Sequence, residues 1–331
     1  MNYIRKRTKR IVAGLLILLL VLIVLTWAIG ALAKSNVARE NPPPGRFVDV
    51  GGFKMHLHCM GEGEPTVILE SGLDDFSLFW WQVQSEIAEV THVCSYDRAG
   101  LGWSEPSPRP RASGTMVEEL HVLLDKANVG GPYVLVGHSF GGALMQLYEH
   151  NYPKEVAGVV LVDAAPDELF VRIPFWRNAI EGKVGLYRTL ASLSSFGFLA
   201  FAPGNIPNRG MPDDVLALYR AIAVSTDYFR TGVAENEAFE NNLTEVRNAH
   251  IFLGDMPLIV ISRGYWDPIP GFSEVENQEA WQTWQEMQSE LLLLSANSRQ
   301  IVATESEHNV HLQQPKLVID AIEELLGKTR K

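Results

Sequence analysis

The longest apolar run in the chain lies near its start. Ile11 to Ala33 reads IVAGLLILLLVLIVLTWAIGALA, with no charge and one hydroxyl, that of Thr26. As a helix rising 1.5 Å per residue it would span roughly 34 Å, enough for a hydrocarbon core of ~30 Å. Residues 1–10 carry five bases (Arg5, Lys6, Arg7, Lys9, Arg10) and no acid. The excess of positive charge before the run predicts a transmembrane helix at 11–33 with a cytoplasmic basic segment at 1–10 and the rest of the chain on the far side. The alternative is a secretory signal cleaved near Ala33, since Ala31-Leu32-Ala33 has the small-x-small form of a cleavage site. Either way the bulk of the chain is exported.

Residues 34–45 are polar and end in Asn41-Pro-Pro-Pro-Gly45. Successive prolines stop a helix, which predicts a stiff linker and a folded domain over 46–331. In that domain short apolar runs alternate with helical patterns. Strands are expected at Arg46–Val50, Lys54–Cys59, Thr66–Glu70, His92–Tyr96, Tyr133–Gly137, Val159–Asp163, Leu258–Ser262 and Arg299–Ala303. Helices are expected near Phe79–Ile87, Thr115–Ala127, Gly141–Asn151, Asn277–Ser295 and Pro315–Leu326. The runs VILE, YVLVG, GVVLVD and LIVIS have no polar alternation, the mark of strands buried on both faces. The pattern predicts an α/β fold with an eight-stranded, mostly parallel sheet flanked by helices and opened by a hairpin. About residues 166–255 the rhythm breaks. That stretch, rich in Phe, Tyr, Leu and Asn, reads as a helical insertion over one end of the sheet. Its aromatics (Phe170, Phe175, Trp176, Tyr187, Phe196, Phe198, Phe201) either line an apolar pocket or pack the insertion onto the body. Trp281, Trp284, Met287 and Leu291 recur at helical spacing and read as a core face.

Charge narrows the function classes. The net charge is −11, and without the first ten residues 23 bases face 39 acids. So acidic a body repels phosphate backbones, and nucleic acid is not an expected partner. The two cysteines, Cys59 and Cys94, form no metal-binding cluster. They read as buried free thiols, with a single disulfide as the alternative that export allows.

The chemistry concentrates at Gly137-His138-Ser139-Phe140-Gly141, between the strand YVLV and the helical stretch GALMQLYEHN. A serine on a sharp strand-to-helix turn projects its oxygen, and bulk two residues either side is not tolerated, hence Gly137 and Gly141. The helix that follows points its positive end at a developing oxyanion.

With ESGLDD at 70–75, YDRAGLGWSEP at 96–106 and SEHNVHLQQP at 306–315, this elbow makes the chain from Arg46 onward resemble the α/β-hydrolases, in particular a small serine esterase and lactonase-like branch. The resemblance implies Ser139 as nucleophile and His308 as base, with His311 as the rival imidazole. It implies Asp267, after LIVISRGYW, as the acid, with Asp163 at the end of GVVLVD as the alternative. Backbone N–H groups of Leu73 and Phe140 would form the oxyanion hole, and Arg98 would pair with a carboxylate or carbonyl near its turn. The family often has His-Gly where this chain has Ser71-Gly72, and glycine where it has Glu307. The implied reaction is cleavage of a small-molecule carboxylic ester, lactone or thioester through an acyl-serine, with no cofactor or metal. An aminopeptidase or amidase, or a non-catalytic binding protein on the same scaffold, are the competing readings.

Overall fold

The computed structural model describes residues 2–40, 42–201, 203–206 and 211–329. The chain begins with one long helix, α1 (Asn2–Glu40), within which Lys6–Leu32 is long and apolar enough to cross a membrane. The helix covers most of the segment expected to be a linker. Residues 34–40 contain neither proline nor glycine, so nothing stops the helix before Pro42. The spacer is thereby cut to the prolines themselves. Asn41 lies outside the described residues.

Eight strands follow: β1 (Arg46–Asp49), β2 (Lys54–Met60), β3 (Thr66–Glu70), β4 (Val93–Tyr96), β5 (Tyr133–His138), β6 (Val156–Val162), β7 (Leu258–Arg263) and β8 (Ser298–Ala303). They form one sheet in the order β1-β2-β4-β3-β5-β6-β7-β8. The β1–β2 and β2–β4 pairs are antiparallel and the remainder parallel, as the alternation of strand and helix requires. The body helices are α2 (Trp81–Ala88), α3 (Ser113–Ala127) and α4 (Phe140–Asn151), then α9 (Glu274–Glu290), α10 (Val310–Gln313) and α11 (Pro315–Thr329). The lid contributes α5 (Leu169–Arg172), α6 (Trp176–Ser195), α7 (Asp213–Ala223) and α8 (Thr226–Asn248) between β6 and β7. Lid positions 202 and 207–210 lie outside the described residues.

The continuous apolar strands are explained by helices on both faces. Ile68, Leu135, Val159, Leu161, Leu258 and Val260 point to the layer that includes α3, α4 and α9. Their neighbours Val67, Val134, Val136, Val160, Ile259 and Ile261 point the other way, onto Val83, Ile87, Ile322 and Leu325 of α2 and α11. Strand periodicity of two divides each run between two cores. A third cluster joins lid to body through Phe76, Phe79, Tyr219, Tyr228 and Phe229.

Cys59 and Cys94 are not free thiols. They stand directly opposite one another in the β2–β4 ladder, with Cα atoms 4.0 Å apart, and form a disulfide. Antiparallel register creates this pairing, and register is what the sequence alone left open. The bond links residues 35 apart, and the chain-entropy estimate for a loop of that size is about 3–4 kcal/mol. Replacing both residues, Cys59→Ser with Cys94→Ser, should lower the unfolding free energy of the full chain by that amount in urea titrations. A loss under about 1 kcal/mol would mean the oxidised pair constrains little in the unfolded chain.

Candidate active site

The site is built at the carboxyl ends of the parallel strands. β5 runs straight into α4, and Ser139 sits at the junction with φ 52° and ψ −122°. This backbone is strained for a residue with a side chain and persists only because its surroundings enforce it. Both flanking glycines are sterically required. A Cβ on Gly137 would lie 2.5 Å from the Gly141 oxygen, and one on Gly141 would lie 2.6 Å from the carbonyl oxygens of Glu70 and Ser71. Phe140 is the first residue of α4, so its N–H has no partner within the helix by position.

His308 lies on the loop between β8 and α10. Its Nε2 is 2.9 Å from Ser139 Oγ, and its Nδ1 is 2.6 Å from Asp163 Oδ2. The rival His311 lies on α10. It is buried between Trp80 and His138, with ring centroids 4.7 and 4.2 Å away.

The acid beside the imidazole is therefore Asp163 and not the expected Asp267. Asp163 directly follows β6, is fully buried, and holds φ at 43°. Asp267 is exposed on the loop four residues beyond β7. The physical reason is the residue that ends β7. Arg263 places its guanidinium against both Asp163 and the His308 ring, occupying the space beside the imidazole on the β7 side. Its Nε donates to Asp163 Oδ2 at 2.6 Å and its backbone N–H to Oδ1 at 3.1 Å. The Trp284 indole N–H donates to Oδ1 as well, at 3.0 Å. The guanidinium also lies over the Trp284 and Trp266 rings, 4.5 and 5.0 Å from their centroids. Trp284 was expected only as a core residue, and it is both core and a hydrogen-bond donor to the acid. Part of the signal is in the sequence, since a basic residue ending an apolar strand needs a buried partner; that Asp163 follows the neighbouring strand is given only by the sheet order.

Electrostatics follow from this packing. Burial pushes Asp163 up, but the Arg263 charge and the His308 and Trp284 hydrogen bonds outweigh it, so the carboxyl stays below its usual range. His308 is held below the ordinary imidazole value, by burial first and then by the Arg263 charge, against the opposite pull of Asp163. His138, also buried and beside both other imidazoles, is well below its ordinary value. Its Nε2 donates to the His308 carbonyl oxygen at 2.9 Å, which ties the elbow to the histidine loop.

The turn after β3 carries Leu73, the other expected oxyanion donor. Arg98 anchors that turn. Its fully buried guanidinium donates to the Ser71 and Gly72 carbonyls, each at 2.8 Å, and pairs with Glu70 at 2.6 Å and Glu235 of α8 at 2.8 Å. The expectation of a carboxylate or carbonyl partner understates it, since Arg98 has both kinds. Asp74, next in the turn, is gripped from the lid by Lys183 and by Asn236 Nδ2 at 2.7 Å.

A cavity of about 330 Å³ opens above Ser139. Leu73, Trp176, Ile180, Tyr187, Phe239 and Trp284 supply much of its wall, and Lys183 with Asp74 and Asp75 its charged groups. Of the lid aromatics, Trp176 and Tyr187 line it. Phe170 and Phe175 instead pack edge-to-face on Phe239 and Phe272. Phe196 and Phe198 are exposed.

A profile of the alpha/beta hydrolase fold matches residues 65–196, the stretch from β3 through the elbow into the lid. The chain has the α/β-hydrolase fold over that stretch. An uncharacterized protein of Bacillus subtilis, YqjL, is 27% identical over 274 residues, 82% of this chain and 88% of that one. Among solved structures, the epoxide hydrolase CorEH superposes with a TM-score of 0.63 at 18% identity, over 86% of this chain and 98% of that one. A thermophilic esterase from Thermogutta terrifontis superposes with a TM-score of 0.62 at 18% identity, over 87% and 100%. The two structures share this chain's fold.

Two outcomes are expected from the geometry, read as the rate at which a fluorophosphonate labels Ser139. Asp163→Asn should slow labelling on the order of 10³-fold or more, while Asp267→Asn should leave it within about threefold. The reverse ranking would overturn the assignment of the acid. If neutral His308 takes the serine proton, the acid limb of the labelling rate should fall below pH 6.5. Arg263→Met removes a cation that disfavours imidazolium, so it should move that limb to higher pH. An unmoved limb would reduce Arg263 to a packing role.

Proposed function

We propose that this α/β-hydrolase is a serine hydrolase that cleaves a carboxylic ester, lactone or thioester through an acyl-serine at Ser139. The observation that carries the reading is the continuous hydrogen-bonded line from Ser139 Oγ through His308 to Asp163, at 2.9 and 2.6 Å. In this reading Asp163 fixes the tautomer with Nδ1 protonated, leaving Nε2 to accept the serine proton as Oγ attacks the carbonyl carbon. The tetrahedral oxyanion collects negative charge against the N–H groups of Phe140 and Leu73 and the positive end of α4. Imidazolium returns its proton to the leaving oxygen or sulfur, and the acyl group stays on Ser139. Water, deprotonated by His308, then attacks the acyl-enzyme and releases the acid.

The nucleophile sorts the chemistries open to this fold. Covalent opening of an epoxide needs a carboxylate at the elbow, because the alkyl-enzyme must itself be a hydrolysable ester. Attack by Ser139 would instead leave an ether, which water does not cleave under these conditions. The largely apolar wall of the cavity favours an acyl chain beside the scissile carbonyl.

The anchoring reading belongs to the same proposal. The apolar run Ile11–Ala33 of α1 spans the membrane with the basic segment 1–10 on the cytoplasmic side, and the hydrolase body stands outside. The Cys59–Cys94 disulfide supports that placement, since such bonds persist in oxidising compartments.

Wild-type protein should be labelled by a fluorophosphonate and Ser139→Ala should not. It should also hydrolyse p-nitrophenyl acyl esters with a kcat/KM at least about tenfold above that for aminoacyl anilides. Preference for the anilides would make it an amidase. Absence of labelling in either protein would leave a binding protein on a hydrolase scaffold.

A further inference from the structure

The lid meets α1 at the turn after α6 and at α7, and at Gly30 the contact is backbone to backbone. From Ile11 to Leu25, α1 is exposed on all sides, and coverage begins only at Thr26, Ala28 and Gly30. Gly30 is buried because the turn after α6 lies on it. A Cβ on Gly30 would stand 2.5 Å from Gly197 Cα, and one on Gly197 would stand 2.2 Å from Gly30 Cα. Two glycines permit an approach that any side chain would block. Gly197 holds φ at 78°, so this glycine is also set by the turn it makes.

That contact fixes a depth. Gly30 is three residues inside the end of the apolar run Ile11–Ala33, about 4.5 Å along the helix axis. If Lys6–Leu32 spans the bilayer, a backbone segment pressed on Gly30 lies at the membrane–water interface, not above it. The composition of the segment agrees. Residues Thr189 to Asn208 contain no charged side chain, in a protein with 39 acidic and 28 basic residues. On either side of the contact, Phe196 and Phe198 are 43% and 48% exposed, beside Trp27 and Ile29 of α1 at 56% and 51%. Leu193, one turn earlier on α6, is 40% exposed. Bare aromatic and aliphatic side chains contiguous with a spanning helix suit the acyl and headgroup boundary, where apolar surface is buried without a protein partner.

We propose that the turn at residues 193–199 is a second membrane contact, an apolar lip of the lid that dips into the outer leaflet beside α1. This rests on the anchoring and hydrolase readings above and adds a substrate source to them: an acyl ester dissolved in the bilayer. The lip is the continuation of α6, whose Trp176, Ile180 and Tyr187 line the cavity over Ser139. One lid helix therefore joins the bilayer surface to the reacting hydroxyl. The partner is the lipid surface and no second protein is required.

The test uses the full chain reconstituted into phosphatidylcholine vesicles, with an NBD fluorophore on a single introduced cysteine. Cys59 and Cys94 stay oxidised and unlabelled. Probes are placed by Phe198→Cys on the lip, Leu20→Cys mid-helix and Leu293→Cys, a 77% exposed site on the body. Bromine-labelled acyl chains should quench positions 20 and 198 and spare 293. Quenching at 20 without quenching at 198 overturns the lip while the anchor stands. No quenching at 20 removes the anchor and the lip with it. Quenching at 293 as well would mean that the whole body adsorbs, which also overturns a localised lip. As a functional arm, Phe196→Ser with Phe198→Ser should lower hydrolysis of a long-chain acyl ester in vesicles about five- to tenfold, with a short soluble ester unaffected. An equal loss on both esters would show a folding defect and reject the delivery route. No hydrolysis of either ester by the wild type would instead defeat the hydrolase reading.

Discussion

The buried carboxylate of Asp163 is the group on which the remainder of the site depends. Fully removed from water, it accepts from the His308 ring, from the Arg263 backbone and guanidinium, and from the Trp284 indole. An isolated buried charge would be prohibitive, and each of these donors is part of what makes it tolerable. The consequence is mutual. Because the acid is fixed from β7 and α9 as well as from the histidine loop, the imidazole is oriented by three elements that the sheet holds rigidly. Arg263 also supplies a cation within 2.7 Å of His308 Nδ1, so the carboxylate is shared between guanidinium and imidazole. That sharing counts against imidazolium and in favour of a neutral base near neutral pH.

A second buried charge serves the opposite wall of the cleft. Arg98 links the end of β3 and the carbonyls of the turn that follows it to Glu235 on the lid helix α8. Five donors in a rigid fork match this set of partners in a way that a lysine would not. The turn that carries Leu73 thus takes its shape from the body and the lid together. Lys183 and Asn236 holding Asp74 reinforce the same dependence. In this structure the departure from His-Gly at Ser71-Gly72 is accommodated by a backbone tether from Arg98, independent of what side chain stands at position 71.

Much of this was legible because it is local. All eight strands stand where short apolar runs predict them, four of those runs being unbroken, and the serine elbow follows from five consecutive residues. His308 was legible from its place after the last strand. What escaped depends on contacts across the chain. Choosing between Asp163 and Asp267 requires knowing that Arg263 ends a strand adjacent to β6, a pairing between positions 100 apart in sequence. Trp284 follows a helical period that says core, and nothing in that period says where its N–H points. The disulfide needed the β2–β4 register. The helix continues through residues 34–40 because polar residues extend a helix as readily as apolar ones, so the prolines limit only its end and not the whole polar stretch.

The lid illustrates why aromatic content alone divides no roles. Phe170 and Phe175 bury themselves against other rings, Trp176 and Tyr187 face the cavity, and Phe196 and Phe198 face outward. The differences follow position along one helix and its flanks. The start and middle of α6 lie over the strand ends, where the sheet and α8 provide apolar partners. Its far end meets the start of α8 through Ser194, and the turn after it lies on α1. An outward phenylalanine there has no protein to cover it, and the absence of charge over twenty residues leaves little to keep that surface in water. The same helix that closes the cavity thereby gains a reason to sit at an apolar boundary, and the short proline spacer allows the body little freedom to leave it.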